Sequence, residues 1–223
     1  FSSLPKVKEV IRVTKTYKLV SREVKNEDTV IELDNVKIGG VNPTAFMAGP
    51  CSVENFETTL EIAKQVKKAG AKIFRAGAFK PRTSPYSFQG HGYDGLKILA
   101  KIREETGLKI VTEVIDTECV EAVAEHADIL QVGTRNMYNY SLLKKLSILN
   151  KPVLLKRGLS ATLEEWLNAA EYIMKGGNSN VILCERGIRT FSSHARNTLD
   201  LNILPKLREL THLPIVVEPS HGV

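Results

Sequence analysis

Seven short apolar stretches alternate along the chain with amphipathic helical stretches, and this alternation restricts the fold more than any other feature. The short stretches lie at residues 45–48, 72–75, 109–112, 129–132, 153–156, 181–184 and 215–217. They are apolar at successive positions, as strands covered on both faces must be. A strand–helix–strand repeat implies parallel strands with right-handed crossovers, so the sequence predicts an α/β protein.

The stretches between the predicted strands carry helix start signals. Thr58 and Glu61 have the spacing of a capping box, Thr162 and Glu165 have it too, and Asp116 is a favourable N-cap residue. An open doubly wound sheet and a closed (β/α)8 barrel both fit this pattern. We count seven strands, and the chain ends before an eighth strand–helix unit.

The first forty residues have a different pattern. The start, "SSLPKVKEVIRV", reads as a short helix that runs into a strand. "TYKLVSREV" and "TVIELDNVKIGG" read as two strands joined by a polar turn at residues 25–28. We interpret this part as the tail of a preceding domain or an amino-terminal extension, with a β-hairpin that caps the bottom of a barrel.

Composition argues against several functional classes. The chain has 31 Lys and Arg against 25 Asp and Glu, a net charge of +6, but no Lys/Arg-rich run. Nucleic acid is therefore not an expected partner. Three irregularly spaced cysteines do not make a disulfide framework, no apolar run has membrane length, and the sequence shows no secretory signal. We expect a cytoplasmic location and no membrane contact.

Polar residues follow every predicted strand, where the active sites of barrels lie. Six cations come from four strand ends: Arg75, Lys80, Arg82, Arg135, Lys156 and Arg186. Only Glu113 and Glu185 are acids close to them in sequence. Because like charges at one mouth repel, the set predicts a site for small molecules that carry phosphate and carboxylate groups. A solvated basic surface is the alternative.

Cys51 follows the first predicted strand and His221 follows the seventh. A thiolate and an imidazole are typical ligands of a divalent metal, but such a site normally has three or four protein ligands. Cys184 is expected to be a small buried residue. Three histidines are expected at the surface or in packing roles: His126, His194 and His212.

Seven motifs, in this order, resemble one enzyme family: "AGPCSVE", "KPRTSPYSFQG", "QVGTRN", "KPVLLKRG", "ILCERGIRTF", "ARNTLD" and "PSH". The family is the 3-deoxy-D-arabino-heptulosonate 7-phosphate (DAHP) synthases, in the class with ferredoxin-like or chorismate-mutase-fused members. The resemblance implies a (β/α)8 TIM barrel, here truncated before its eighth strand. It also implies the condensation of phosphoenolpyruvate with erythrose 4-phosphate, the first step of the shikimate pathway.

The resemblance also implies roles for individual residues. Phosphoenolpyruvate would be bound by Arg75, Lys80, Arg135, Lys156 and Arg186. Erythrose 4-phosphate would contact Lys80, Pro81, Arg82 and Thr83. The substrate site would also include Glu113 and Thr134. Cys51 and His221 would hold a divalent ion (Mn, Fe, Zn, Co or Cd), with further Glu and Asp ligands beyond Val223. The expected catalytic residues are Lys80, His221 and Cys51, and proton transfer is left open between Lys80 and His221.

The resemblance further implies that residues 1–22 are the tail of a ferredoxin-like regulatory domain and that residues 23–223 belong to the barrel. Family members are commonly tetramers, so a homotetramer is expected, together with an aromatic amino acid effector of the full-length protein. The chain departs from the family pattern at Glu218, where the family has Asp, and at Thr134 and Ala76.

Three alternatives remain at this stage. The related 3-deoxy-octulosonate 8-phosphate synthases share the "AGPC" start and a "CERG" stretch but do not normally carry "KPRTSPYSFQG". A Schiff-base aldolase would use Lys156 as its amine nucleophile. A catalytically inactive phosphate-binding barrel would retain the cations without turnover.

Overall fold

The computed structural model describes residues 3–10 and 14–222, and it contains two β-sheets. An antiparallel hairpin is formed by β1 (Ile31–Leu33) and β2 (Val36–Ile38). The second sheet is parallel and has seven strands: β3 (Met47–Ala48), β4 (Ile73–Arg75), β5 (Lys109–Val114), β6 (Ile129–Val132), β7 (Val153–Lys156), β8 (Val181–Glu185) and β9 (Ile215–Val217). All seven predicted strands are present, within two residues of their predicted bounds.

The order of the strands distinguishes between the two architectures that the sequence left open. Each parallel strand pairs with the next one in the chain, from β3 to β9, without a reversal. A doubly wound sheet reverses its order at a switch point, whereas a (β/α)8 barrel does not. The fold is therefore that of a (β/α)8 barrel, and the described residues supply seven of its strands.

Helices cover the outside of the sheet between successive strands. They are α1 (Phe56–Lys68), α2 (Gly92–Thr106), α3 (Val120–His126), α4 (Tyr140–Ser147), α5 (Leu163–Lys175) and α6 (Ile203–Leu210). The capping box of Thr162 and Glu165 is confirmed at α5. The predicted start of α1 is wrong, because Asn55 caps this helix by accepting from Thr58 N. Asp116 caps the turn before α3 rather than the helix itself. In the described part of the chain, no helix combines the length and the apolar character needed to cross a bilayer.

The parallel sheet separates two apolar layers. Successive residues of a strand point to opposite faces, so each strand contributes to both layers. The outer layer, between sheet and helices, includes Phe74, Ile110, Leu130, Leu155 and Leu183. The inner layer, inside the barrel, includes Ile73, Val111, Ile129, Leu154 and Ile182. This pattern explains why the strands read as continuous apolar runs in the sequence.

The hairpin of β1 and β2 closes the end of the barrel at which the parallel strands begin. Ile31, Val36 and Ile38 are buried and join the inner apolar layer. A hairpin at the bottom of the barrel was predicted, but its first strand was placed wrongly: residues 16–24 form only an isolated bridge at Ser21. Both strands come from "TVIELDNVKIGG", and the turn between them contains Asp34 at φ 48°, a conformation that Asp tolerates.

The segment before the hairpin is irregular. The predicted short helix is wrong over residues 3–10, which form turns and irregular chain, and residues 11–13 lie outside the described residues. Further along, Thr16 Oγ1 donates to Glu164 at 2.8 Å, and the backbone N–H groups of Leu19 and Val20 donate to Glu171. This part of the chain therefore packs against α5. The domain boundary at residues 22 and 23 stays a prediction.

Candidate active site

The inner face of the barrel carries polar side chains at the end where the parallel strands finish. In β4 to β9, each residue of this polar layer lies two positions after a residue of the inner apolar layer. Because side chains alternate along a strand, both layers point to the same side of the sheet. The polar layer consists of Arg75, Glu113, Gln131, Lys156, Cys184 and Glu218. The barrel interior thus changes from apolar to mostly polar over one pair of residues, at the end where barrel enzymes have their active sites.

Glu113 lies at the centre of this polar layer. It is 9% exposed and accepts a hydrogen bond from Gln131 Nε2 at 3.1 Å. Gln131 Oε1 in turn accepts from Arg75 Nε at 3.4 Å. Gly133 leaves room for the carboxylate, because a Cβ atom there would lie 2.0 Å from Glu113 Oε1. Three neighbouring strands therefore fix the position of one buried carboxylate.

Four of the predicted cations act on the charge of Glu113. Burial raises the pKa of this carboxyl, and the positive charges around it oppose the rise. The cations are Arg75, Lys156, Lys80 and Arg135. Four of the six predicted cations, which are far apart in sequence, therefore lie close enough to Glu113 to influence its charge, and their role in substrate binding stays a prediction. Glu113 and Glu218, which pairs with Lys156, are two carboxylates beside these four cations, so positive charge remains in excess and favours the entry of anions.

Lys80 and Cys51 form a close pair beside this layer. Lys80 is buried, and its Nζ donates to the Cys51 carbonyl oxygen at 2.6 Å and contacts Cys51 Sγ at 3.2 Å. Desolvation by itself raises the pKa of the Cys51 thiol, but the hydrogen bond and charge of Lys80, with the charge of Arg75, outweigh it and lower this pKa. Burial lowers the pKa of Lys80. Lys80 thus stabilises the thiolate form of Cys51 relative to that of an unpaired cysteine.

The remaining predicted substrate residues lie at the rim of the mouth. Arg82 and Thr83 are exposed in the loop after β4, and Pro81 is half-buried there. Arg135 is exposed and its Nη1 donates to the Pro81 carbonyl oxygen at 2.8 Å, which joins the loops after β4 and β6. Thr134 begins the single 3-10 turn after β6. These residues are placed to meet a ligand that enters from outside the barrel.

Glu218 links two predicted site residues on the opposite side of the mouth. Its carboxylate accepts from Lys156 Nζ at 2.7 Å and contacts His221 Nδ1 at 2.8 and 2.9 Å. Burial alone would raise the pKa of Glu218, but the hydrogen bond from His221 and the charge of Lys156 hold it well below its usual range. Glu218 therefore stays ionised and fixes both partners.

Arg186 follows β8 and points into the same region. It is 6% exposed, and its Nε atom is buried without a hydrogen-bond partner in the part of the chain that the structure describes. Burial lowers the pKa of its guanidinium, and the charge of Glu218 opposes this shift. A buried guanidinium N–H without an acceptor is costly, and an anionic ligand would satisfy it.

Cys51 and His221 suit a divalent metal as two donors. Lys80 lowers the pKa of the thiol, and Glu218 holds His221 through Nδ1, which is the arrangement that orients a metal-binding imidazole. Among residues 3–10 and 14–222, however, no group of three or more His, Cys, Asp and Glu is arranged to hold a metal ion. The described residues therefore show no metal site, and the assignment of Cys51 and His221 as metal ligands stays a prediction.

Sequence reasoning missed two residues of the polar layer. Gln131 was not singled out, although it is a polar residue in an apolar strand and pairs in register with Glu113 across β5 and β6. Glu218 was noted only as a departure from the family pattern. Both residues lie two positions after an inward-pointing apolar residue, and this spacing could have identified them. Cys184 is buried as predicted, and burial raises the pKa of its thiol to about 12.

One protein-family model matches most of the chain. The model described as "DAHP synthetase I family" matches residues 21–223. The chain belongs to the DAHP synthetase I family. The first three strand ends of this family member carry Cys51, Arg75 and Glu113, and its last carries His221.

Several relatives of this family member have names that describe an aldolase or a synthase. "Phospho-2-dehydro-3-deoxyheptonate aldolase" of Thermotoga maritima is 53% identical over 222 residues, which are 100% of this chain and 65% of the relative. A crystal structure of the Thermotoga maritima protein of that name, also titled DAHP synthase, superposes with a TM-score of 0.89 at 51% identity and covers 99% of this chain and 64% of that chain. "2-Dehydro-3-deoxyphosphooctonate aldolase" of Syntrophotalea carbinolica is 34% identical over 200 residues, covering 86% of this chain and 71% of the relative.

Proposed function

We propose that the protein condenses phosphoenolpyruvate, erythrose 4-phosphate and water to give 3-deoxy-D-arabino-heptulosonate 7-phosphate and inorganic phosphate. The observation that carries the proposal is the group of converging cations at the polar end of the barrel, among them the buried Arg186. Both substrates are phosphorylated, and one also has a carboxylate. Family membership and the names of the Thermotoga relatives support the same reaction.

Phosphoenolpyruvate would bind in the interior of the mouth. Arg186 and Lys156 are buried there, and Arg75 and Lys80 lie on the other side of Glu113. A guanidinium offers forked N–H groups to a phosphate or carboxylate, and an ammonium offers a compact charge. Arg135 would close the site from the rim. The dianionic or trianionic ligand would offset the repulsion between these cations.

Erythrose 4-phosphate would bind nearer to the rim. Lys80 and Pro81 lead from the interior to the exposed loop that carries Arg82 and Thr83. This order would place the phosphate at Arg82 and Thr83 and the aldehyde near Lys80 and Cys51. Binding both substrates in a fixed orientation would convert a bimolecular encounter into a unimolecular step.

Cys51 and His221 would provide two ligands of a divalent ion, and such an ion would polarise the aldehyde carbonyl as a Lewis acid. The new carbon–carbon bond would join C3 of phosphoenolpyruvate to the aldehyde carbon, as the C2–C3 and carbonyl π bonds break. Water would add at C2, and its proton would pass to the former aldehyde oxygen. The C2–O–phosphate bond would then break, inorganic phosphate would take the bonding electron pair, and the C2 hydroxyl would lose its proton to the phosphate to give the ketone. Arg186 and Lys156 would hold the negative charge of that leaving group throughout.

Carbon count separates this reaction from that of the octonate relatives. A seven-carbon product needs a four-carbon aldehyde beside the three carbons of phosphoenolpyruvate, and an eight-carbon product needs a five-carbon aldehyde. The heptonate relative is 53% identical, and the octonate relative is 34% identical. We therefore expect the four-carbon aldose phosphate to be the preferred acceptor.

Phosphate release by the protein at its natural length tests the proposal. We expect release from phosphoenolpyruvate only with erythrose 4-phosphate, little with a five-carbon aldose phosphate, loss with EDTA and recovery with Mn²⁺. Arg186→Lys should raise the KM for phosphoenolpyruvate by about 10- to 100-fold, because a buried forked contact is lost. The exposed Arg208→Lys is the matched control. Release that does not depend on an aldehyde would contradict the proposal.

The pathway and assembly also belong to this proposal. The reaction would supply the shikimate pathway in the cytoplasm, and the protein would act as a homotetramer with an aromatic amino acid as feedback effector. The chain spans about 65% of the length of the heptonate relative. Light scattering of the natural-length protein, with and without each aromatic amino acid, measures both the assembly and any change on effector binding.

A further inference from the structure

A cluster of three charged side chains, two of them buried, lies directly beside the proposed phosphoenolpyruvate site. Arg157 Nη1 donates to Glu185 Oε2 at 2.9 Å and to Asp200 Oδ2 at 3.0 Å. Arg157 Nε donates to the Ala161 carbonyl oxygen at 3.0 Å. Glu185 is 0% exposed, and Arg157 is buried as well. One guanidinium therefore joins the end of β7, the end of β8 and the loop before α6.

The cluster fixes the backbone on both sides of Arg186. Glu185 precedes Arg186 in the chain, and its second oxygen, Oε1, accepts from Gly187 N at 2.7 Å. Gly187 has φ 97°, a left-handed conformation that favours glycine. The Glu185 carboxylate thus spans the turn from which the Arg186 side chain projects. Arg157 directly follows Lys156, so the same cluster also holds a second buried cation of the site.

Asp200 attaches the long connection between β8 and α6 to this cluster. Within that connection, Ile188 and Thr198 form an antiparallel bridge, and Asn197 Nδ2 donates to the His221 carbonyl oxygen at 2.9 Å. Asp200 lies two residues after the bridge and returns to Arg157. Loss of the contact between Asp200 and Arg157 would free the end of this connection. The same connection supports His221 through Asn197.

Burial of two charges, Arg157 and Glu185, with Asp200 half-buried beside them, needs a reason beyond the stability of the fold. Desolvation of ions offsets most of their attraction, so a buried ion cluster adds little net stability compared with apolar packing. The planar guanidinium of Arg157 has fixed donor directions, however, so its hydrogen bonds define the relative positions of the groups that it binds. None of these three side chains belongs to the proposed contacts with substrate. Arg157 is next to Lys156 in the sequence, Glu185 is next to Arg186, and Asp200 anchors a segment next to these cations. Both cations belong to the proposed contacts with substrate.

We propose that Arg157, through Glu185 and Asp200, is a positioning residue that orients Lys156 and Arg186 towards the phosphate and carboxylate of the bound anion. The inference rests on the proposed function, since it extends that same site. Arg157 itself does not contact substrate. The hydrogen bonds of its guanidinium fix the distance between the ends of β7 and β8, and this distance determines the separation of Lys156 and Arg186.

Asp200→Asn is the variant that tests this role, because Asn keeps the shape and removes the charge of the most accessible member of the cluster. We expect the KM for phosphoenolpyruvate to rise about tenfold, as for the loss of one charge-assisted hydrogen bond, with the KM for erythrose 4-phosphate within about twofold of wild type. Glu121→Gln, which removes a surface carboxylate paired with Lys145, is the matched control. The proposal predicts no change of either KM in that control.

Arg157→Lys provides the second variant. Lysine keeps the charge but cannot replace the Nε and Nη1 contacts together, so the KM for phosphoenolpyruvate should rise despite the conserved charge. Asp200→Glu, which retains the carboxylate, should recover part of the wild-type KM. A lower melting temperature of Asp200→Asn and Arg157→Lys with an unchanged KM for phosphoenolpyruvate overturns the proposal and leaves the cluster a purely structural role.

Binding measurements separate this inference from the proposed function. Trp166 is the one tryptophan of the sequence, and its Nε1 donates to the Leu155 carbonyl oxygen, next to Lys156, so its fluorescence reports on this region. If the wild type binds inorganic phosphate but has no turnover, the proposed function fails, while weaker phosphate binding by Asp200→Asn still supports the positioning role. If the wild type binds neither phosphate nor phosphoenolpyruvate, both proposals fail.

Discussion

His212 is a buried side chain that hydrogen-bonds to two positions in the amino-terminal segment. Its Nδ1 lies 2.8 Å from Thr29 Oγ1, and its Nε2 lies 2.8 Å from the Leu19 carbonyl oxygen. A carbonyl oxygen only accepts, so Nε2 carries the proton and Nδ1 accepts from the Thr29 hydroxyl. Lys25 Nζ donates to the same hydroxyl oxygen. This pattern fits the neutral imidazole and joins the amino-terminal segment to the barrel.

The pH dependence of stability should reveal His212. Burial lowers its pKa, and the charges of Lys25 and Arg22 act in the same direction. The unfolded chain, with an ordinary histidine pKa of about 6.5, then binds a proton first, so the free energy of unfolding falls as the pH drops below about 6.5 towards the folded-state pKa. Urea unfolding at pH 7.5 and pH 5.5 measures this loss.

A comparison of variants isolates the contribution of His212 to that loss. In His212→Gln the difference in unfolding free energy between the two pH values should shrink relative to wild type, because no imidazole remains to be protonated. His194→Gln, at an exposed position, is the control and should keep the wild-type difference. An equal pH dependence in His212→Gln and wild type would contradict the assignment.

At the scale of elements, the β1–β2 hairpin acts as the plug of the barrel. Its inward side chains pack against inner-layer residues from five or more strands, while the residue between Val36 and Ile38 in β2 is exposed. The plug lies at the end opposite the polar layer. Its contribution should therefore appear in stability and leave ligand binding unchanged.

Ile38→Ala tests the plug. Removal of a buried isoleucine side chain should reduce the free energy of unfolding by about 2–4 kcal/mol, through lost burial and the cavity that remains. Chemical unfolding measures this value, and Lys37→Ala on the exposed face of the same strand should change it by less than about 0.5 kcal/mol. The KM for phosphoenolpyruvate should not change. A large change of KM would show that the two ends of the barrel are coupled.

The whole molecule distributes its charge unevenly. The sequence has a net charge of +6, and six of its cations lie at the polar end of the barrel, with Glu113 and Glu218 among them. Such a field attracts anions and is weakened by salt. Any ligand that binds only the folded state also stabilises it by mass action.

Inorganic phosphate should therefore raise the melting temperature. At about ten times its Kd, phosphate should add roughly 1.4 kcal/mol to the free energy of unfolding. Sodium chloride at equal ionic strength is the control for screening, and Arg186→Lys should reduce the phosphate effect. Equal shifts with phosphate and chloride would mean that the cations do not form a specific anion site.

Helix starts illustrate where local sequence signals succeeded and failed. Thr162 and Glu165 form the capping box that their spacing predicts, because both partners lie within one turn. Thr58 does not, because Asn55, three residues earlier, supplies a better N-cap. Residues 16–24 read as a strand, but in the part of the chain that the structure describes they form only the bridge at Ser21, and their other contacts include hydrogen bonds to α5.

The sequence by itself determined the parallel strands, the helices that cover them and the residues that end each strand, because periodicity and turn residues act locally. Only the tertiary structure decided that Glu113 and Gln131 pair across two strands, that Glu218 fixes Lys156 and His221, and that Arg157 joins three segments. These contacts depend on strand register and on loops that return over long sequence distances, and side-chain periodicity carries no information about either.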